Sequence, residues 1–276
     1  MTTTAVRSGF RAGLIELRQG FTGTALIGQL FWPVVTLVAI WFLRDLPFSG
    51  VRLGPLILPS TVGMFVALGM LLTVQQLAAD REDGSLLRAK ATPHGIRGYL
   101  VGKFVNVSAT VVAYLLILLV PGALLIGGLS IDAAGVLTLA WVLALGFIAT
   151  QALGAVLGAS VENSRGAGVL SVPVIVLIAI SGIFYPITAL PEWLQVVGQI
   201  FPVYWLGLGV RSALLPEHAA ALEIDQSWRH LETAAVLGAW AVAGLIVAPI
   251  VLRRMARRES GSRVARRRES LQQRVG

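Results

Sequence analysis

Six long apolar stretches limit what this chain can fold into: residues 25–43, 56–77, 100–126, 134–159, 167–185 and 233–252. A helix crossing a hydrocarbon core of about 30 Å needs about 20 apolar residues, and each stretch meets or approaches that length. Only 13% of the 276 residues are charged, and 56% are hydrophobic, whereas soluble domains carry about 25% charge. The chain is therefore read as an integral membrane protein. With no cysteine, it can hold no disulfide framework, thiolate metal site or cysteine nucleophile. Its net charge of +8 flanks the apolar stretches and gathers at the C-terminus, so membrane topology accounts for it and nucleic acid is not expected as a partner.

Residues 1–23 place Phe10, Leu14, Leu17 and Phe21 at helical spacing, with Arg7, Arg11, Glu16 and Arg18 mostly off that stripe. This predicts an amphipathic helix lying along the membrane surface. It is not read as a secretory signal, because the run 25–43 exceeds a signal core and no small-residue cleavage site follows. Pro33, Pro59, Pro121, Pro173 and Pro249 fall inside five of the six spans, where neighbouring helices can re-satisfy the freed backbone groups. Six crossings put all but Arg44, Arg52, Arg211 and Arg229 of the 22 Lys and Arg on the side that holds both termini. The positive-inside bias predicts that this side is the cytoplasm.

The insert 80–98, DREDGSLLRAKATPHGIRG, lies on the same side, since its charges cannot enter hydrocarbon unpaired. Gly84 breaks the preceding helix, Ser85 is expected to cap a new one, and Thr92 before Pro93 ends it. The result is a helical stub over 86–91 with Leu86 and Leu87 beside Arg88 and Lys90. Two turns are marginal alone, so the stub is read either as a docking element or as a solvated loop.

Gly146, Thr150, Gly154 and Gly158 recur every four residues in the fourth span, a smooth face for close approach of a helix of this chain or of a second subunit. Between the last two spans, residues 187–208 are too apolar for open solvent yet broken by Pro191 and Pro202. A helix begun near Pro191, with Trp193 and Tyr204 at headgroup level, would lie in the outer interface or dip in and return. The basic tail from Arg253 suits anionic lipid. His94, His218 and His230 show no metal-ligand spacing, and the acidic residues near the last two read as solvated loop charge.

Glu82, Gly84, Leu86, Arg88, Thr92 and Pro93, followed by Tyr99, Gly102 and Lys103, resemble the cytoplasmic coupling segment of ABC-2 type exporter permeases. The run Ser181 to Pro186, then Leu190, Pro191, Trp193 and Leu194, then Phe201, Pro202, Tyr204 and Arg211, is similar to that family's outer signature before its last span. Nearly the whole chain is covered, and the daunorubicin-resistance-like drug exporters are the nearest variants.

The resemblance implies an all-α membrane protein with six transmembrane helices, an N-terminal amphipathic interfacial helix, a cytoplasmic coupling helix after the second span and an outer re-entrant or interfacial helix before the sixth. Residues 1–23 would be the interfacial helix, 24–253 the membrane domain and 254–276 the cytoplasmic tail. It implies a non-enzymatic permease subunit in the cytoplasmic membrane, paired with an identical or homologous permease chain and with two ATPase subunits. These would be gripped through Glu82, Gly84, Leu86, Leu87, Arg88, Thr92 and Pro93. The expected cargo is a hydrophobic drug or lipid, with lipid-linked polysaccharide as the alternative.

The chain itself has no phosphate loop. The string Gly98 to Phe104, with Gly102 and Lys103, is one residue short of G-x-x-x-x-G-K-[ST] and ends in phenylalanine. ATP and magnesium would therefore bind to the partner, and no cofactor is expected in this chain. An ion-coupled secondary transporter is the competing class. It would place an acid at mid-membrane, where the sequence offers only Gln29, Asn106 and Gln151.

Overall fold

The structure, a computed structural model, describes residues 2–48, 51–92, 95–161 and 163–258. Its helices are α1 (Thr2–Gly20), α2 (Ala25–Leu43), α3 (Leu53–Glu82), α4 (Ser85–Lys90), α5 (Gly95–Leu125), α6 (Ala133–Gly158), α7 (Ser164–Ile180), α8 (Glu192–Ile200), α9 (Pro202–Leu214) and α10 (His230–Arg258). A two-residue ladder, Pro47–Phe48 with Val51–Arg52, closes the turn between α2 and α3. Among the described residues, α2, α3, α5, α6 and α10 are each long and apolar enough to cross a membrane.

Direction along the bundle follows from packing. Leu77 of α3, Leu86 of α4, Ala155 of α6 and Ala248, Leu252 and Met255 of α10 share one apolar cluster, so α3, α6 and α10 all run toward α4. Between α6 and α10 the chain must return once. The returning helix is α7, whose Ala167 packs with Val74 and Ala78 near the α4 end. It stops at Ile180 rather than at Tyr185, the limit of the fifth apolar stretch. Ser181 and Gly182, the latter at φ +66°, turn the chain, and a Cβ at Gly182 would press on Ile187. Seventeen residues make only about 25 Å of helix.

The α8–α9 pair completes the far end. Its two helices meet at 90°, and at the elbow the Ile200 carbonyl accepts the Trp240 indole N–H at 2.9 Å, about 15 Å along α10 from its start. From there α9 climbs back: Leu206 lies against Gly146, Val142 against Gly209, and the Ala213 carbonyl against Gly135 at the start of α6. The Leu214 carbonyl then accepts the Ser130 N–H at 2.9 Å. The pair is therefore a sharp bend whose second arm runs back along α6 toward its start. Tyr204 and Trp205 are buried against the protein, and Trp193 is exposed.

At the centre is α3, whose residues from Leu58 to Ala67 are almost all buried among α5, α6, α7 and α9. By contrast α2 flanks this core, entering it through Ile40 and leaving Ile27, Trp32 and Phe42 exposed, as suits a helix bathed in lipid. The Gly146, Thr150, Gly154 and Gly158 face packs within the chain. A Cβ at Gly158 would come 2.9 Å from Leu77, one at Gly154 would strike the Met70 carbonyl, and the Thr150 hydroxyl bonds the Gly146 carbonyl at 2.7 Å. Mid-span amides pair between helices: Gln151 donates to the Ser108 hydroxyl at 2.8 Å, and Tyr114 donates to Gln29.

Candidate functional site

Among the described residues, the α4 end gathers most of the buried charge. Here α3 stops because Gly84 adopts φ +77°, a left-handed conformation that costs any other residue about 1 kcal/mol or more. The first free N–H of α4 is met by Asp83, whose Oδ1 accepts from the Ser85 amide at 2.7 Å. Ser85 is thus the first helical residue and not the cap, and its hydroxyl instead accepts from Arg88 Nη2 at 2.8 Å. The Thr92 hydroxyl turns back onto the Ala89 carbonyl at 2.9 Å to close the other end. Pro93, His94 and Glu162 lie outside the described residues, as does the tail beyond Arg258.

The two leucines of α4 separate. Leu86, expected with Leu87 among the residues a partner grips, is 1% exposed and joins the cluster of Leu77, Leu252 and Met255, with Ile96, Tyr99 and Leu100 around it. Burying one leucine contributes about 2 kcal/mol, so Leu86 fastens α4 to its own bundle. Leu87 is half-buried, and Asp83, Arg88, Lys90, Ala91 and Thr92 are exposed. Glu82 is half-buried at the end of α3.

Behind α4 lies a charge cluster that ties three helices. Asp80 Oδ2, on α3, accepts from the Tyr99 hydroxyl at 2.5 Å and lies 2.9 Å from Lys103 Nζ, both on α5. Lys103 also pairs with Glu16 of α1. The neighbouring Arg81 donates to the Ala159 carbonyl at 3.0 Å and to the Val161 carbonyl, covering the C-terminal carbonyls of α6 as a cation does well. In this way the last turn of α3 is joined to α1, α5 and α6.

What brings α1 so close to α5 is a pair of glycine steps. Gly9 and Gly13 face Gly98 and Gly102; a Cβ at Gly13 would sit 2.5 Å from the Gly102 carbonyl, and one at Gly9 would overlap that of Gly98. The near-match to a phosphate loop at 98–104 is therefore a packing surface, and its lysine is an ion-pair partner. The Phe10 and Leu14 stripe is exposed while Ala5, Gly9 and Gly13 are buried, so α1 keeps an exposed apolar face beside its small-residue face for α5. A cleft of about 270 Å3 between α1, α4 and the start of α5 includes Glu16, Thr92 and Lys103 in its walls. Spacing of four residues in both segments was the signal for this contact.

At the opposite end, Pro186 precedes a 3-10 turn, Ile187–Ala189, Pro191 precedes α8, and Pro202 opens α9. Arg211 is buried: its Nε donates to Glu223 Oε1 at 2.7 Å and its Nη1 to the Gly182 carbonyl at 3.2 Å. It joins α9, the turn after α7 and the segment before α10. No cluster of three or more His, Asp and Glu able to hold a metal occurs among the described residues.

The family model described as ABC-2 family transporter protein matches residues 49–251, from just before α3 to within α10, and so takes in α4 and the bent pair α8–α9. No curated protein matches the chain.

Proposed function

We propose that this chain, which belongs to the ABC-2 transporter family, is the permease subunit of an exporter that moves a hydrophobic drug-like or lipid-like molecule outward across the cytoplasmic membrane. The α4 end faces the cytoplasm in this reading, because it holds the basic excess. Two ATPase subunits bind there, supplying ATP and magnesium chemistry, and a second permease chain, identical or homologous, completes the pathway. In this reading the exporter is of the daunorubicin-resistance-like kind.

The observation that carries this reading is the division of α4 into a locked half and an offered half. Leu86 is sealed into the bundle, while Arg88 and Lys90 are exposed and Leu87 is half-buried beside them. A push on the offered half cannot be absorbed by sliding α4 over its own chain. It passes into α3 and α10 through the Leu86 cluster, and into α1 and α5 through Asp80 and Lys103. Gripping uses Leu87, Arg88, Lys90 and the half-buried Glu82, with Gly84 and Thr92 shaping the turn at either side.

The test is capture of the ATPase by the full-length permease, with ATP-driven uptake into inside-out vesicles. A Leu87→Asp, Arg88→Glu double variant should keep its thermal stability and lose both. Undiminished capture by that variant would remove α4 from the interface.

A further inference from the structure

One side of α1 carries a surface that the bundle leaves uncovered. Gly9 lies against Gly98 and Gly13 against Gly102, so α1 runs beside the first turns of α5 in the same direction. At 31 residues, α5 is about 46 Å long, about 16 Å more than a hydrocarbon core. Its far end is marked by Arg44, which lies beside Asp45 and donates to the Leu125 carbonyl at 3.3 Å. The surplus length therefore falls at the α4 end, and α1 stands beside it at the level of lipid headgroups.

Three strips follow one another around α1 at about 100° per residue. Ala5, Gly9, Gly13 and Glu16 face α5, and Val6, Phe10 and Leu14 come next. Arg7, Arg18 and Arg11 then share an arc of about 40°, with Ile15 at its far edge. Phe10 is 50% and Ile15 60% exposed, and all three arginines are exposed. The one acid of α1, Glu16, is neutralised by Lys103, and among the described residues no acid pairs with the three arginines. The glycine contact and the Glu16–Lys103 bridge also fix the rotation of α1 about its axis. Its cationic and apolar strips are thereby held away from the protein.

We propose that this face of α1 binds anionic phospholipid. The planar forks of Arg7, Arg11 and Arg18 match the phosphate oxygens, while Phe10 and Leu14 on one side and Ile15 on the other enter the acyl boundary. Water alone leaves the apolar strips exposed, and a zwitterionic lipid covers them without offering net charge. An anionic lipid meets both needs.

The chain has no cysteine, so Gln19→Cys takes a single bimane at the exposed end of α1. The labelled full chain is placed in discs of dioleoylphosphatidylcholine. A small fraction of nitroxide-bearing lipid, either phosphatidylglycerol or phosphatidylcholine, is added as a quencher that acts at contact range. At low salt the phosphatidylglycerol should quench at about one-fifth the concentration, the factor for a single near-surface cation. In about 1 M salt, where the screening length is about 3 Å, that preference should shrink.

The triple variant Arg7→Gln, Arg11→Gln, Arg18→Gln should keep its melting temperature and lose the preference. Arg253→Gln, Arg254→Gln and Arg257→Gln, at exposed positions of α10, should leave it in place. Equal quenching by the two lipids at low salt would overturn the proposal. So would a preference that survives the α1 triple variant or vanishes with the α10 one.

An ATPase lying over α1 predicts something different. Adding it would then shield the bimane from both lipids and overturn the lipid assignment, whereas phosphatidylglycerol quenching that persists in the assembled complex supports it. The disc measurement needs no ATPase and exposes both leaflets. Its failure leaves the exporter reading intact, and failure of ATPase capture leaves the lipid assignment intact.

Discussion

Lys103 shows how one side chain can do work that its sequence neighbourhood disguises. Standing after Gly98 and Gly102 it imitates a nucleotide-binding lysine, yet its ammonium is shared between Asp80 and Glu16. Removing one member of a buried charge cluster leaves the others unpaired, at a cost of about 3 kcal/mol. Lys103→Met should therefore lower the melting temperature of the purified permease, and adding Asp80→Leu should restore part of it. A melting temperature unmoved by Lys103→Met would mean that Asp80 finds water instead. Arg81, one residue on, faces the end of α6 rather than the α1–α5 contact, so the Lys103 variants test the α1, α3 and α5 junction separately.

Among the elements, α1 and α4 are the ones whose roles depend on neighbours. Alone, α1 is an amphipathic helix of mixed composition; on α5 it becomes half of a close-packed pair through Gly9, Gly13, Gly98 and Gly102. Forcing a side chain into such a contact costs about 1–3 kcal/mol or separates the helices. Gly13→Leu should free α1, read as protease cleavage near Arg18 that the unmodified chain resists. For α4 the two leucines should respond oppositely. Leu86→Asp buries a charge in the cluster of Leu77 and Met255 and should cost folding and membrane yield, whereas Leu87→Asp should leave both near normal and weaken ATPase capture. Equal loss of yield for the two would contradict the split of α4 into buried and offered faces.

Across the whole molecule, α3 is the axis and α2 the most lipid-facing span, with the bent α8–α9 pair filling the end that the short α7 leaves open. The absence of cysteine makes topology directly testable. Lys90→Cys should react with a membrane-impermeant maleimide only in inside-out vesicles, and Asp225→Cys only in intact cells. Reaction of both from the same side would break the six-crossing path expected from the apolar stretches.

Apolar length and the asymmetry of Lys and Arg by themselves determined that the chain is a multi-pass helical membrane protein, and where most crossings run. The match of α2 to the stretch 25–43 needed no tertiary information, because bilayer thickness sets helix length. The polar turn at Gly84 and the proline-broken segment before the last span were also legible, since glycine and proline act on their own backbone. What only the tertiary structure decided is which side chains on each helix are hidden. That Leu86 is buried and Leu87 only half so, that Gly146 meets Leu206 of the same chain, that α7 ends at Ile180, and that Arg211 finds Glu223 all depend on residues distant in sequence. In a membrane both lipid-facing and core-facing positions are apolar, so hydropathy does not distinguish them. The contacts that do so are made by small residues and buried charges, and their partners are supplied by the fold.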